Sequence, residues 1–314
     1  MRRPVAAVAL LLLATLTACS GSGSAQPSAS ASRAAGALPS VSGSYGTKPT
    51  LTFPSSAAPG SVQVRVLRQG SGPVVNKGDL LVGDYLGQVW QGKVFDNSYD
   101  RGQVAAFPIG VGRVIPGWDQ TLVGVKAGSR LLLSIPPSAG YGPTGNAAAG
   151  IKGTDTLVFV VDLVSSYSGK AAGDPKAAPQ KAAVPGVTVS GALGTPPGVG
   201  VAPAKFAVKT PAIQVLARGT GAPVGGGLLV VQYLAVDASN KPVGSSWSSG
   251  TPIGVPVTPS GKNGLFDLTR GLPLGSRVLI ESPASPATAS QAASPALVLV
   301  ADLVAQPKTA KQTG

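Results

Sequence analysis

One short stretch concentrates most of the reactive chemistry in this chain. Val94–Phe95–Asp96–Asn97–Ser98–Tyr99–Asp100–Arg101 sets an aromatic ring, a carboxylate and a guanidinium within a few residues of one another. Val114–Ile115–Pro116–Gly117–Trp118 follows and adds an indole. Such residues are scarce elsewhere, since only 12% of the 314 residues are charged and 5% aromatic. There is no histidine, which removes the usual neutral-pH base and the commonest metal ligand. Ser–His–Asp hydrolysis and histidine-held metals are therefore excluded. The single cysteine forms no internal disulfide and no metal cluster. No metal and no cofactor is expected. Chemistry that needs neither a nucleophile nor a metal stays open to such a chain.

Strands must position these groups. The 43 glycines and 29 prolines suit short strands and tight turns better than long helices. From Ser61 the pattern is β: Val62, Val64 and Val66 alternate with polar residues, which predicts one buried face. Leu80 to Val89 reads as a second strand, centred on Tyr85, and Phe107–Pro108–Ile109–Gly110 as a short one. Gly117 to Gly124 is the one convincing helix, stopped by Gly128. Ser129 to Ile135 and Thr156 to Val164 complete the set as two further strands. Five or six strands around one short helix give an α+β class, a half-open antiparallel sheet.

The N-terminus carries a different signal. Arg2–Arg3 forms a positive region, Val5 to Leu16 an apolar one, and Leu16–Thr17–Ala18–Cys19 a small-residue cleavage site. This pattern resembles a bacterial lipoprotein leader, with lipidation at Cys19. The apolar run is too short to span a bilayer core of roughly 30 Å, and no later segment reaches the ~20 apolar residues required. The reading is a protein outside the cytoplasm, lipid-anchored to the cell membrane. The net charge of +13 arises from scattered Lys and Arg without interleaved aromatics, so nucleic acid is not an expected partner.

The chain divides accordingly. Residues 1–19 are the leader, 20–44 a Ser/Ala/Gly-rich flexible tether, and 45–168 the first domain. An Ala/Lys/Pro linker occupies 169–186, a second domain 187–305, and a disordered basic tail 306–314. Within 37–60 a Pro-rich stretch with Tyr45, Leu51 and Phe53 is expected to lie as an extended strand on the first domain. The second domain repeats the first. Val41–Ser42–Gly43 with Gly46–Thr47 recurs as Val189–Ser190–Gly191 with Gly194–Thr195. Leu80–Leu81–Val82 recurs as Leu228–Leu229–Val230, and Gly128–Ser129–Arg130 as Gly275–Ser276–Arg277. Leu157–Val158 through Asp162–Leu163–Val164 returns as Leu297–Val298 through Asp302–Leu303–Val304. Several matches in one order indicate a tandem duplication.

Taken together, Tyr85, Phe95, Asp96, Arg101, Val114, Ile115, Trp118, Tyr141 and Phe159 resemble the pattern of the FKBP-type peptidyl-prolyl cis–trans isomerases. The resemblance covers roughly residues 61–165 and implies two FKBP-like domains, the second degenerate. It implies an indole floor from Trp118, aromatic walls from Tyr85, Phe95 and Phe159, and an aliphatic rim from Val114 and Ile115. It further implies that the Ile115 N–H and the Tyr141 hydroxyl donate to the substrate. Asp96 would face the reacting carbonyl, oriented by Tyr85 and Arg101, and Ile151 would form the far rim. Asp96, Tyr141 and Tyr85 are the implied catalytic set. Ala105, Arg113 and Asn146 depart from the family pattern, and with the small residues Ala147–Ala148–Ala149–Gly150 they predict a wider pocket and a mobile loop.

In the second repeat Gly244–Ser245–Ser246 stands near the Phe95–Asp96 position, Lys262–Asn263–Gly264–Leu265–Phe266 replaces the Trp118 element, and nothing matches Tyr141. The implied partners are proline-containing unfolded or exported polypeptides, bound by a monomer. A rival reading is a non-catalytic surface binding or chaperone module on the same fold. A solute-binding lipoprotein fits poorly, because two α/β lobes would need helical segments that are missing.

Overall fold

The computed structural model describes residues 37–258, 264–287 and 292–309. The leader, Cys19 and residues 20–36 of the tether lie outside the described residues. Lys262 and Asn263 do so too, as does the end of the tail. A hairpin of β1 (Ser40–Ser42) and β2 (Thr50–Thr52) comes first. Six strands then form one antiparallel sheet: β3 (Gln63–Arg68), β4 (Leu80–Val89), β5 (Val94–Asn97), β6 (Ala105–Pro108), β7 (Arg130–Ile135) and β8 (Leu157–Tyr167). Their order is β3-β7-β8-β4-β5, with β6 also paired to β4.

Strand alternation gives the sheet two apolar faces. Leu131, Leu133, Ile135, Leu157, Phe159 and Val161 point to the side of helix α1 (Pro116–Leu122). Leu132, Val158 and Val160 point to the other side, where Leu38, Val41, Leu51 and Phe53 of the N-terminal hairpin cover them. Burial on both faces is why β7 and the first part of β8 read as continuous apolar runs. The Pro-rich stretch expected as a single extended strand is thus a hairpin, and the end of the expected flexible tether contributes β1.

Helix α1 is short for local reasons. Pro116 at its first position presets φ and has no N–H to leave unpaired. Beyond Leu122 the chain turns extended at Val123 and then enters positive φ at Gly124. Gly117 permits the close approach to the sheet, because a Cβ there would lie 2.7 Å from the Ile135 side chain. The helix covers β7 and β8 and leaves edge strand β3 bare. Val64 and Val66 are accordingly 44% and 50% exposed, contrary to the buried face that their alternation predicts.

Seven further strands form a second antiparallel sheet, which a second hairpin of β10 (Val187–Ser190) and β11 (Gly198–Val201) covers. The sheet strands are β9 (Ala178–Pro179), β12 (Ala212–Arg218), β13 (Gly227–Asp237), β14 (Pro242–Ser245), β15 (Ile253–Val257), β16 (Arg277–Ser282) and β17 (Leu297–Ala305). The order β12-β16-β17-β13-β14, with β15 on β13, is the strand order of the first sheet. The helix differs. Where a counterpart of α1 was expected, the chain forms a 3-10 turn at Leu265–Thr269, and among the described residues the only α-helical turn nearby is α2 (Ser246–Ser249).

The stretch expected as a free linker is built into this sheet. β9 pairs with β12, Ala177 is buried, and the Gly173 N–H donates to Asp302 at 3.1 Å. Main-chain hydrogen bonds do this work, and they need no apolar side-chain pattern that a sequence would display. Gln306, assigned to the tail, likewise exchanges two hydrogen bonds with the Gly225 backbone. The two sheets meet through Leu80, Val82, Val104 and Val230, with the Thr251 hydroxyl donating to the Gly78 carbonyl at 2.7 Å.

Each sheet contains one buried Arg–Asp pair that faces across neighbouring strands: Arg130–Asp162 between β7 and β8, and Arg277–Asp302 between β16 and β17. Removing Asp162 would leave the Arg130 charge buried without its counter-ion, a change that costs about 3–5 kcal/mol. Asp162→Ala should therefore lower the urea midpoint strongly. Asp100→Ala, which breaks the exposed Lys48–Asp100 pair, should leave the midpoint where it is.

Candidate functional site

The first sheet and α1 enclose a cavity of about 240 Å³. It is lined by Tyr85, Phe95, Asp96, Phe107, Arg113, Val114, Ile115, Trp118, Tyr141 and Phe159. Strands supply most of the wall: Tyr85 from β4, Phe95 and Asp96 from β5, Phe107 from β6 and Phe159 from β8. Trp118 comes from α1, Val114 and Ile115 from the turn that leads into it. Tyr141 stands at the lip, 39% exposed, in the turns after β7.

The aromatic rings lock one another edge to face. Trp118 packs on Phe107, Phe159 and Tyr85 at centroid separations of 4.9, 5.2 and 5.8 Å. Phe95 meets Phe159 at 5.6 Å. These T-shaped contacts favour a fixed arrangement over a collapsed one. Gly87 makes room for them, because a Cβ there would lie 2.6 Å from the Phe95 ring and 2.9 Å from that of Phe159.

One polar cluster interrupts the apolar wall. The Tyr85 hydroxyl and an Arg101 guanidinium N–H both donate to Asp96. A second Arg101 N–H donates to the Tyr85 oxygen at 3.0 Å, and the guanidinium lies over the Tyr85 ring. Burial pushes the Asp96 carboxyl up, but the Tyr85 and Arg101 hydrogen bonds and the Arg101 charge outweigh it, leaving the group below its usual value. Burial, then the hydrogen bond to Asp96, pushes the Tyr85 hydroxyl up to about 12. Asp96 is thus a fixed carboxylate at neutral pH and Tyr85 a fixed donor. The Ile115 N–H makes no hydrogen bond among the described residues and is free at the cavity rim.

Eight of the ten pocket residues expected from sequence line this one cavity. Arg101 does not line it but stands behind Asp96, to which it donates. Ile151 is not among the residues that line the cavity; its side chain is buried beside it. Its loop is also less free than its small residues suggest. Asn146 and Ile151 exchange backbone hydrogen bonds, and the Asn146 side chain accepts from the Ala149 N–H. Sequence reading overlooked Phe107, which supplies an aromatic wall where Ala105 does not. The signal was available, because Ala105 and Phe107 alternate onto the same face of one strand.

The charge states give a pH expectation. A carboxyl depressed by folding contributes stability that is present above its unfolded value of about 3.9 and is lost as pH falls through the folded value. A raised hydroxyl contributes below its unfolded value of about 10 and is lost as pH rises through about 12. The cluster should therefore persist between these limits. Tyr85→Phe removes a hydrogen bond to the ionised form, so it should raise the Asp96 pKa, as read from carboxyl NMR shifts.

Comparison with known proteins agrees with this geometry. A sequence model of the FKBP-type peptidyl-prolyl cis-trans isomerases matches residues 72–164. The chain is 38% identical over 119 residues to an FK506-binding protein of Streptomyces anulatus, covering 38% of this chain and 96% of that one. It is 47% identical over 89 residues to FK506-binding protein 2 of Yarrowia lipolytica, covering 28% of this chain and 61% of the relative. Among solved structures, FkpA from Escherichia coli aligns at 39% identity, with a TM-score of 0.32, over 34% of this chain and 48% of that one. The chain thus spans nearly all of the Streptomyces relative and half to three fifths of the other two. Through its first sheet, which holds the aromatic cavity, the chain belongs to the FKBP-type peptidyl-prolyl cis–trans isomerase family.

Proposed function

We propose that the chain accelerates cis–trans isomerisation of Xaa-Pro bonds in the aromatic cavity of the first sheet. The observation that carries this reading is the Asp96–Tyr85–Arg101 cluster set into the wall of an indole-floored cavity. Rotation about a peptide bond must break amide resonance, a barrier of roughly 18–20 kcal/mol. At a prolyl bond the two isomers differ little in energy, so lowering the barrier is all that a catalyst must do. As the amide twists, its carbonyl loses dipole and its nitrogen becomes pyramidal. An apolar cavity disfavours the polar planar amide relative to this twisted form.

The side chains divide that task. Trp118 supports the proline ring while Phe95, Phe107 and Phe159 exclude water. The Ile115 N–H and the Tyr141 hydroxyl donate to substrate carbonyls. Asp96, held by Tyr85 and Arg101, sets a fixed negative charge beside the rotating carbonyl. A ten-thousandfold acceleration needs only about 5.5 kcal/mol of differential stabilisation. The cavity is smaller than the roughly 300 Å³ at which drug-sized ligand pockets begin, a size for a single small ring.

The second sheet is a copy of this fold that has lost the site. Its strand order and the recurring sequences support that reading. The Tyr233 N–H donates to the buried Ser246 hydroxyl as the Tyr85 N–H does to Ser98. Two residues before Ser98 stands Asp96; two before Ser246 stands Gly244. Its role is that of a packing partner: Gly254 of β15 lies against Ala106 of β6, the strand whose other face presents Phe107 to the cavity.

The clients are proline-containing unfolded or exported polypeptides, outside the cytoplasmic membrane, and the protein acts as a monomer. The leader pattern ending at Cys19 supports this setting. If Cys19 is lipidated, Cys19→Ser should move the protein from the membrane to the soluble fraction; an unchanged membrane fraction would remove that support.

The central test is relaxation of a cis Xaa-Pro peptide with the full chain. Asp96→Ala and Tyr141→Phe should each lower kcat/KM roughly tenfold, about 1.4 kcal/mol of lost transition-state stabilisation. If the folded parent gives no acceleration, the reading shifts to a binding module that keeps the fold without the activity.

A further inference from the structure

The cavity contains one charge without a partner. Arg113 lines it beside Val114 and Ile115 and is exposed. Among the described residues it belongs to none of the ion pairs and makes no side-chain hydrogen bond. The other charges at the cavity are already matched, since Asp96 is paired with Arg101. The nearest carboxylate in sequence, Asp119, is committed elsewhere. Its two oxygens accept from the Gly110 and Gly112 amides at 2.6 and 2.7 Å. Those bonds close the turn ahead of Arg113, so its backbone is fixed while its guanidinium remains available.

We infer that Arg113 determines substrate preference, selecting polypeptides that carry Asp or Glu within about two residues of the isomerising proline. The range follows from reach. An extended chain advances about 3.3–3.6 Å per residue, so only the immediate neighbours of a proline bound over Trp118 come near the cavity rim. The size of the effect follows from Coulomb attraction at a few ångströms in water. Attraction of an acidic side chain and repulsion of a basic one together amount to about tenfold at low salt, and screening erodes it. Arg113 is thus a specificity residue, whereas Asp96 and Tyr141 serve every substrate.

The inference rests on the isomerase reading, and its test separates the two. Three peptides differ only in having Glu, Gln or Lys before the proline, and three more differ in the same way two positions after it. The full chain, Arg113→Gln and Arg113→Glu are compared by the ratio of kcat/KM between the Glu and Lys peptides. Any general loss of activity in a variant cancels in that ratio. The parent should favour Glu about tenfold in at least one series at low salt, and the preference should fade at about 1 M salt. Arg113→Gln should bring the ratio near one and Arg113→Glu should invert it. Equal turnover of Glu and Lys peptides by the parent, or a preference that survives in Arg113→Gln, overturns the inference; turnover of the Gln peptides by the parent keeps the isomerase reading intact. If the parent accelerates none of the peptides, both fall.

Discussion

The buried pair of Arg130 and Asp162 organises the first sheet and, through it, the cavity. These side chains are 3% and 0% exposed and bond each other at 2.5 and 2.8 Å. Taking two ions out of water is tolerable only when every remaining donor and acceptor is satisfied. Here the partners come from two other parts of the fold, the N-terminal hairpin turn and the loop that bears Tyr99. Arg130 donates to the Gly43 and Thr47 carbonyls of the N-terminal hairpin turn, and Asp162 accepts from the Gly46 N–H and the Tyr99 hydroxyl. Burial, and then the Asp162 charge, push the Tyr99 hydroxyl well above its ordinary value, so it remains a donor. One desolvated pair thereby fixes the register of β8, which bears Phe159, and the seat of the hairpin. It also holds the loop in which Tyr99 sits between Asp96 and Arg101.

The same device recurs in the second sheet. Arg277 bonds Asp302 and donates to the Ala192 and Thr195 carbonyls of the second hairpin turn, while the Gly173 N–H takes an acceptor on Asp302. Frame and site are therefore separable quantities in this fold. The frame depends on a charge pair, a covering hairpin and apolar alternation. The site depends on a few aromatic side chains and one carboxylate, which the frame does not need for its own burial. In the second sheet Gly244 and a 3-10 turn stand where the first has Asp96 and α1, and the strands pair in the same order.

This separation also governs what could be read from sequence. Trp118, Phe95, Asp96 and Tyr141 were legible because they sit in nearly ungapped order on elements with strong local signals. The hairpin over the second face, the strand at Ala178–Pro179 and the seating of Gln306 were not. Those segments are held by backbone hydrogen bonds and a few scattered side chains, which leave no periodic trace. Val64 and Val66 misled for the opposite reason: their alternation is genuine, but a helix of seven residues is too short to cover an edge strand. Ile151 was misplaced because a rim and a core position look alike in a sequence, and the turn capped by Asn146 decides between them.

The proposed mechanism, exclusion of water without a nucleophile, requires walls that do not yield. One wall of the cavity is β6, a four-residue strand paired to β4 and flanked by the exposed turn at 100–103. Its inner face holds Phe107 against Trp118. On its outer face Ala106 meets Gly254 so closely that a Cβ there would lie 2.8 Å away, and Val104 is buried with Leu80, Val82 and Val230. The second sheet therefore presses on the back of a cavity wall. A sheet without the aromatic and acidic side chains of the first thus holds one side of that cavity in place.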